Sequence, residues 1–172
     1  MPAYDFLLRL SKNCAVGKFN DQTAQDAASD CKNCAVGLYN DQAGQDAAGD
    51  CKNCAAGKYN DQNARTAPCN DPCSAGKWSA QEGLSADSQC TACVGGKYST
   101  SGTAQTSDRV CVSCAGGKYS TAGDGQTSIN ACNNLCSAGK WSTATGITSD
   151  DQCNNRCSAG KWSDQTGLTA DS

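Results

Sequence analysis

The sequence contains no histidine, only three prolines and one methionine, and few of the residues that build hydrophobic cores. Leu, Ile, Val and Phe together number 16 among 172 residues. A chain so poor in large apolar side chains is expected to be disordered unless something other than burial restricts it. The absence of histidine removes the commonest general base, and the carboxylates are scattered singly. The sequence therefore predicts a protein that is not an enzyme and has no catalytic residues.

Charge and hydropathy also exclude some partners. The net charge of −3 is spread along the chain, which leaves no basic patch for nucleic acid and no cationic face for anionic lipid. No apolar run approaches the roughly 20 residues of a membrane span, so we expect no membrane insertion in this segment. No Asn-x-Ser/Thr acceptor occurs, whereas Ser and Thr cluster at residues 99–106 and 142–149 as candidates for O-linked glycosylation.

Cysteine is what the chain has in abundance, with 15 residues. A disulfide that closes a loop of about 15 residues stabilises the fold by roughly 3 kcal/mol in the chain-entropy model. Cross-links can therefore replace the missing core. Because such density of disulfides persists only in an oxidising compartment, the sequence predicts an extracellular or cell-surface protein.

Self-comparison reveals eight tandem units of about twenty residues, aligned on the second cysteine of each close pair. We assign an N-terminal apolar segment at 1–13, seven units at 14–33, 34–53, 54–72, 73–92, 93–113, 114–135 and 136–156, and a truncated eighth unit at 157–172. The cysteine on which the units are aligned is followed by two small residues, a glycine, usually a lysine, and an aromatic residue. The aromatic residue is predicted to be the miniature core of its unit, at Phe19, Tyr39, Tyr59, Trp78, Tyr98, Tyr119, Trp141 and Trp162.

Two regular disulfide pairings fit the spacing. Each close pair can bond internally, which leaves Cys14 over, or the second cysteine of one pair can close onto the first of the next, which leaves Cys157 over. Ser11 stands where the first cysteine of a pair is expected, a loss that only the unit-closing pattern makes harmless. We therefore predict that pattern, and we expect that Cys157 is unpaired through truncation of a longer array. The predicted bonds are Cys14–Cys31, Cys34–Cys51, Cys54–Cys69, Cys73–Cys90, Cys93–Cys111, Cys114–Cys132 and Cys136–Cys153.

Several motifs suggest other chemistry. The recurring C-x2-C pairs have the spacing of a four-thiolate zinc site, but they recur evenly instead of grouping into twos. Their Gly, Asn and Ser-rich setting is unlike a strand-to-helix redox site. The Gly-Lys pairs lack the Ser or Thr of a phosphate loop. Asp21, Asp26 and Asp30 are candidate calcium ligands, although polar turn residues are the simpler interpretation. No metal and no cofactor are predicted.

The pattern Cys-x-x-Cys, small, x, Gly, x, aromatic, then a closing Cys resembles the ephrin-receptor-type, growth-factor-receptor-like cysteine-rich repeats of extracellular proteins. The resemblance covers residues 11–172, although those repeats usually carry Pro where this chain has Ala15, Ser74 or Val94. It implies small disulfide-closed β-hairpin units without catalysis. We expect an elongated rod with almost no helix, in which each unit contacts chiefly its neighbours.

Two functions follow from this architecture. The first is a structural subunit or segment of an extracellular filament, surface appendage or coat that self-associates into a polymer. Its candidate self-association residues are Tyr4, Phe6, Leu7, Leu8 and Leu10. The alternative is the ectodomain of a receptor or adhesin that binds a protein or glycan through a diverged unit, with residues 63–72 as the candidate.

Overall fold

The computed structural model describes residues 12–171. Within this range the chain forms a tandem array of seven two-stranded antiparallel hairpins with no α-helix, which confirms the predicted class of small disulfide-rich repeats. The strands are β1 Lys18–Phe19, β2 Lys32–Asn33, β3 Leu38–Tyr39, β4 Lys52–Asn53, β5 Lys58–Tyr59, β6 Asp71–Pro72, β7 Lys77–Trp78, β8 Thr91–Ala92, β9 Lys97–Tyr98, β10 Val112–Ser113, β11 Lys118–Tyr119, β12 Asn134–Leu135, β13 Lys140–Trp141 and β14 Asn155–Arg156.

Each hairpin pairs the aromatic strand of a unit with the short link between two close cysteines. In the first unit Lys18 lies opposite Asn33 and Phe19 lies opposite Lys32. A turn precedes the aromatic strand, in which Lys18 N–H donates to the Ala15 carbonyl at 3.2 Å. Gly17 occupies its third position at φ +80°, a conformation that favours glycine and explains why this residue recurs in every unit.

A single turn of 3-10 helix leads into most of the cysteines that close the disulfide of a unit. These turns are Ala28–Asp30, Ala48–Asp50, Asp87–Gln89, Asp108–Val110, Ile129–Cys132 and Asp150–Gln152. In the first of them the Asp30 carboxylate accepts from Ala27 N–H at 3.1 Å, which satisfies a donor that the turn would leave unpaired. The next residue, Cys31, is thereby placed for its disulfide.

Successive units are joined by two main-chain hydrogen bonds that recur at all seven junctions of the described range. The residue after each aromatic donates its N–H to the following unit, as Asn20 does to the Gln45 carbonyl at 3.1 Å and Ser99 does to Gln126 at 2.8 Å. In return the following unit donates to the carbonyl of the unit's first cysteine, as Gly44 N–H does to Cys14 at 2.9 Å. This pair of bonds, the junction pair, stacks the units in one direction.

The recurring glycine also contacts the next unit but one. A Cβ atom on Gly17 would lie less than 3.0 Å from the carbonyl oxygen of Ala64, two units further along, and the same holds for Gly37, Gly57, Gly76, Gly96 and Gly117. The expectation that units contact chiefly their immediate neighbours is therefore incomplete. Because the backbones approach so closely, only glycine fits at this position.

The apolar clusters lie at the junctions. Phe19 packs with Cys34 and Cys51, the disulfide of the second unit, together with Leu38. Tyr119 packs against Cys136, Ile147 and Cys153 in the same way. The core of this fold is thus a series of small clusters, each made of a ring from one unit and a disulfide from the next.

Candidate functional site

The structure contains the seven disulfides of the unit-closing pattern, from Cys14–Cys31 to Cys136–Cys153. Their Cα atoms are 5.3 to 5.9 Å apart and their loops span 15 to 18 residues. Fourteen cysteines are therefore committed to structural bonds. Cys157 is partly exposed and has no disulfide partner within residues 12–171.

The predicted core aromatics differ in burial. Phe19 is buried, and the rings from Tyr39 to Trp141 are half-buried against the following unit. Trp162 is 80% exposed, although Trp78 and Trp141 occupy the same position in their units. This departs from the prediction that each ring is the core of its own unit. A ring is covered only when a further unit follows it.

One deeply buried side chain in each of six units is polar and was not predicted from the sequence. It directly follows the aromatic residue and is at most 3% exposed at Asn40, Asn60, Ser79, Ser99, Ser120 and Ser142. Asn60 donates from Nδ2 to the Leu38 carbonyl of the preceding unit at 2.9 Å and accepts from Gln62 N–H at 3.0 Å. The sequence could have indicated this buried residue, because the position is always Asn or Ser, and both side chains can accept a hydrogen bond from a buried N–H.

The three tryptophan units share an acidic side chain that the sequence did not single out. Asp150 accepts from Lys140 Nζ at 2.6 Å and from Ser137 N–H at 2.8 Å, an arrangement that we call the clamp. Asp87 and Asp171 occupy the same position in their units. The hydrogen bond from Lys140, followed by that from Ser137, lowers the pKa of Asp150. At Asp87 partial burial opposes the hydrogen bonds from Lys77 and Ser74, which nevertheless lower the pKa.

In the diverged segment at 63–72, the charged side chain of Arg65 forms hydrogen bonds within its own unit. The Arg65 side chain is 16% exposed, and its Nη1 donates to Asp71 at 2.9 Å. Its guanidinium also donates to Asn60, Asn70 and the Ala67 carbonyl. Arg65 is therefore engaged in intramolecular hydrogen bonds.

Within residues 12–171, the eighth unit lacks the contacts that join each earlier unit to a following one. Ser163 N–H and the Cys157 carbonyl, the equivalents of a junction pair, have no backbone partners in the described range. A Cβ atom added to Gly160, at φ +84°, would meet nothing within 4 Å among the described residues, and the same is true of Gly139 in the seventh unit. Beside them lies the exposed ring of Trp162.

A broad groove of about 1170 Å³ lies along the first unit and the edge of the second, and its lining includes Cys14, Gln25 and Cys31 of the first unit and Gly44 of the second. The Gln25 carbonyl and Ala24 N–H correspond to the two groups with which later units complete a junction pair, and neither has a main-chain partner in the range 12–171. The Cys14–Cys31 disulfide lies where later units receive an aromatic ring.

The remaining candidates are placed as follows. Tyr4, Phe6, Leu7, Leu8 and Leu10 lie outside the described residues. Asp21 accepts from Lys32 at 2.6 Å, whereas Asp26 and Asp30 make no ion pair in the described part of the chain. That part contains no group of three or more His, Cys, Asp or Glu side chains that could hold a metal ion. None of its helices is long and apolar enough to cross a membrane.

Comparison of the sequence with protein-family models and with curated proteins gives no match. The functional argument therefore depends on the geometry of the repeats. Their many intramolecular disulfides indicate an oxidising, extracellular or secreted environment.

Proposed function

We propose that this chain is a non-enzymatic structural protein of the extracellular space, a subunit or segment of a filament, surface appendage or coat. The observation that supports this most strongly is the repetition of one junction. All seven junctions in residues 12–171 have the same two main-chain hydrogen bonds, with donor to acceptor distances from 2.7 to 3.1 Å. A surface built for selective recognition would instead concentrate its distinctive side chains in one place.

The chemistry of the exposed side chains agrees with this function. Ion pairs such as Lys32–Asp21 and Lys52–Asp41 link the two sides of a single unit. Exposed large apolar residues, among them Val94 and Ile129, are distributed along the array. Such a molecule derives its rigidity from cross-links and its length from the number of units, which are the properties that a fibre requires.

The test is electron microscopy of the oxidised 172-residue chain at increasing concentration, with and without reductant. We expect uniform fibres that lose their order when the disulfides are reduced, because the junction clusters contain the disulfides. A chain that remains dispersed as monomers at every concentration would contradict the proposal.

A further inference from the structure

We propose that Thr106 and Thr127 carry O-linked sugars, which are added while the chain passes through an oxidising secretory compartment. Both threonines occupy one recurring position, two residues after the residue with positive φ that precedes the closing cysteine of the unit. Six of the eight units have a hydroxyl at this position, at Thr66, Ser85, Thr106, Thr127, Thr148 and Thr169. The proposal depends on the environment that the disulfides indicate and does not depend on the formation of a fibre.

The segment around Thr127 is held on both sides. Before it, the Gln126 carbonyl accepts a junction hydrogen bond at 2.8 Å. After it, Ser128 has an extended backbone, at φ −142° and ψ 145°, and its hydroxyl accepts from Asn130 N–H at 3.1 Å. Thr106 has the same setting in the fifth unit. Both threonines are therefore presented at a fixed place on the array.

The polar groups of these two threonines are free within residues 12–171. Thr106 and Thr127 are exposed, and neither the hydroxyl nor the main-chain groups of either residue make a hydrogen bond to another described residue. The residue that follows each of them is a small serine. An exposed and extended segment with unpaired main-chain groups can bind along the active site of an enzyme, as extended peptides bind to other proteins.

Thr148 occupies the same position and is also exposed, but its polar groups are engaged. The Gln152 Oε1 atom accepts from Thr148 N–H at 2.6 Å and from the Thr148 hydroxyl at 3.1 Å. Gln89 binds Ser85 in the same way, at 2.6 and 3.0 Å. In these two units the hydroxyl is bound to its own chain.

The difference between the units lies in the third residue of the 3-10 turn. This residue is Gln in the fourth and seventh units, Val110 in the fifth and Ala131 in the sixth. An aliphatic side chain has no acceptor atom, so the hydroxyl four residues earlier stays free. The Ser and Thr clusters at 99–106 and 142–149 are therefore not equivalent as sites of modification.

The reaction is a transfer of a sugar from a nucleotide-activated donor, catalysed by a glycosyltransferase. The threonine Oγ1 atom forms a bond to the anomeric carbon of the sugar, while the bond from that carbon to the phosphate of the donor breaks. The hydroxyl proton passes to a base of the enzyme, and the nucleoside phosphate leaves with the bonding electron pair. At Thr148 the hydrogen bonds to Gln152 must break first, which disfavours the transfer.

The first test maps the sugars on the chain from its natural source. Trypsin places the three threonines on separate peptides, 98–109, 119–140 and 141–156, which mass spectrometry can sequence with the sugar attached. We expect sugar at Thr106 and Thr127, and an occupancy at Thr148 that is lower by about tenfold or more. Unmodified Thr106 and Thr127, phosphate in place of sugar, or equal occupancy at Thr148 would each overturn the proposal.

The second test exchanges the turn residues, in chains secreted by a host that modifies the parent. Gln152→Ala should add sugar at Thr148, because it removes the acceptor, and Val110→Gln should reduce the occupancy of Thr106 by about tenfold. Gln81→Ala is the control, because the Gln81 side chain is exposed and binds no hydroxyl in the described range, and it should leave the sugar map unchanged. Sugar maps that are identical in Gln152→Ala, Val110→Gln and the parent would show that the free hydroxyl does not select the sites.

Discussion

At the scale of single residues, two positions besides the aromatic ring contribute to the stacking of units. One is the glycine whose backbone meets the next unit but one, and the other is the buried Asn or Ser after the ring. Both act through main-chain geometry and hydrogen bonds, since the chain has little apolar surface to bury. Substitutions at these positions should therefore lower the free energy of unfolding by more than the small size of the side chains suggests.

Gly96→Ala should destabilise the chain more than Gly102→Ala does. Both glycines lie in the fifth unit, at φ +80° and +77°, so both variants incur a left-handed strain of about 1–2 kcal/mol. Only at Gly96 would the new methyl group meet the backbone of Gly146, which adds an overpacking cost of about 1–3 kcal/mol. Guanidinium unfolding of the oxidised monomers measures the difference, and equal losses would refute the contact between alternate units.

Asn60→Ala should lower the free energy of unfolding by about 1–3 kcal/mol, because it leaves the Gln62 N–H and the Leu38 carbonyl without their buried partner. Asn60→Ser should cost less, since a serine hydroxyl at this position accepts the same N–H in later units, as Ser79 does from Gln81 at 3.1 Å. The two variants are compared by chemical denaturation. A serine variant as unstable as the alanine one would contradict this role.

At the scale of elements, the disulfides could be predicted from the spacing of the cysteines together with Ser11, and the hairpins were implied by the resemblance to extracellular cysteine-rich repeats. The junctions could not be predicted, because they are made by backbone groups of Asn20 and Gln45 whose side chains carry no signal of pairing. Similarly, the clamp at Asp150 joins residues thirteen and ten positions apart, a spacing without helical or strand periodicity.

The clamp predicts a dependence of stability on pH. The pKa of Asp150 is lower in the folded chain than its ordinary value near 3.9, so its contribution is present above that value and is lost as the pH falls through the folded pKa. Asp150→Asn should therefore reduce the fall in stability between neutral pH and about pH 2. Asp164→Asn is the control, because Asp164 makes no ion pair in the described range. If the stability of Asp150→Asn falls with decreasing pH as steeply as that of the parent, the clamp does not contribute to the acid dependence of stability.

At the scale of the whole molecule, the array is a linear series in which each unit is cross-linked internally and joined to the next by hydrogen bonds and a small apolar cluster. The repeat period could be predicted, and so could the scarcity of helix. The contact that each of the first six units makes with the next unit but one could not, since it joins backbone groups far apart in the sequence. Gly17 lies against Ala64, 47 residues away.

The placement of the disulfides inside units has a mechanical consequence. Under tension applied to the two ends, the junctions can separate while each disulfide holds a loop of 15 to 18 residues out of the loaded path. A reductant would release that stored length, about 50 Å per loop at full extension. Single-molecule stretching should thus show short extensions in oxidising buffer and, after reduction, up to seven further steps. Such a fibre would yield under load without breaking, and its reach would be set by the redox state of its surroundings.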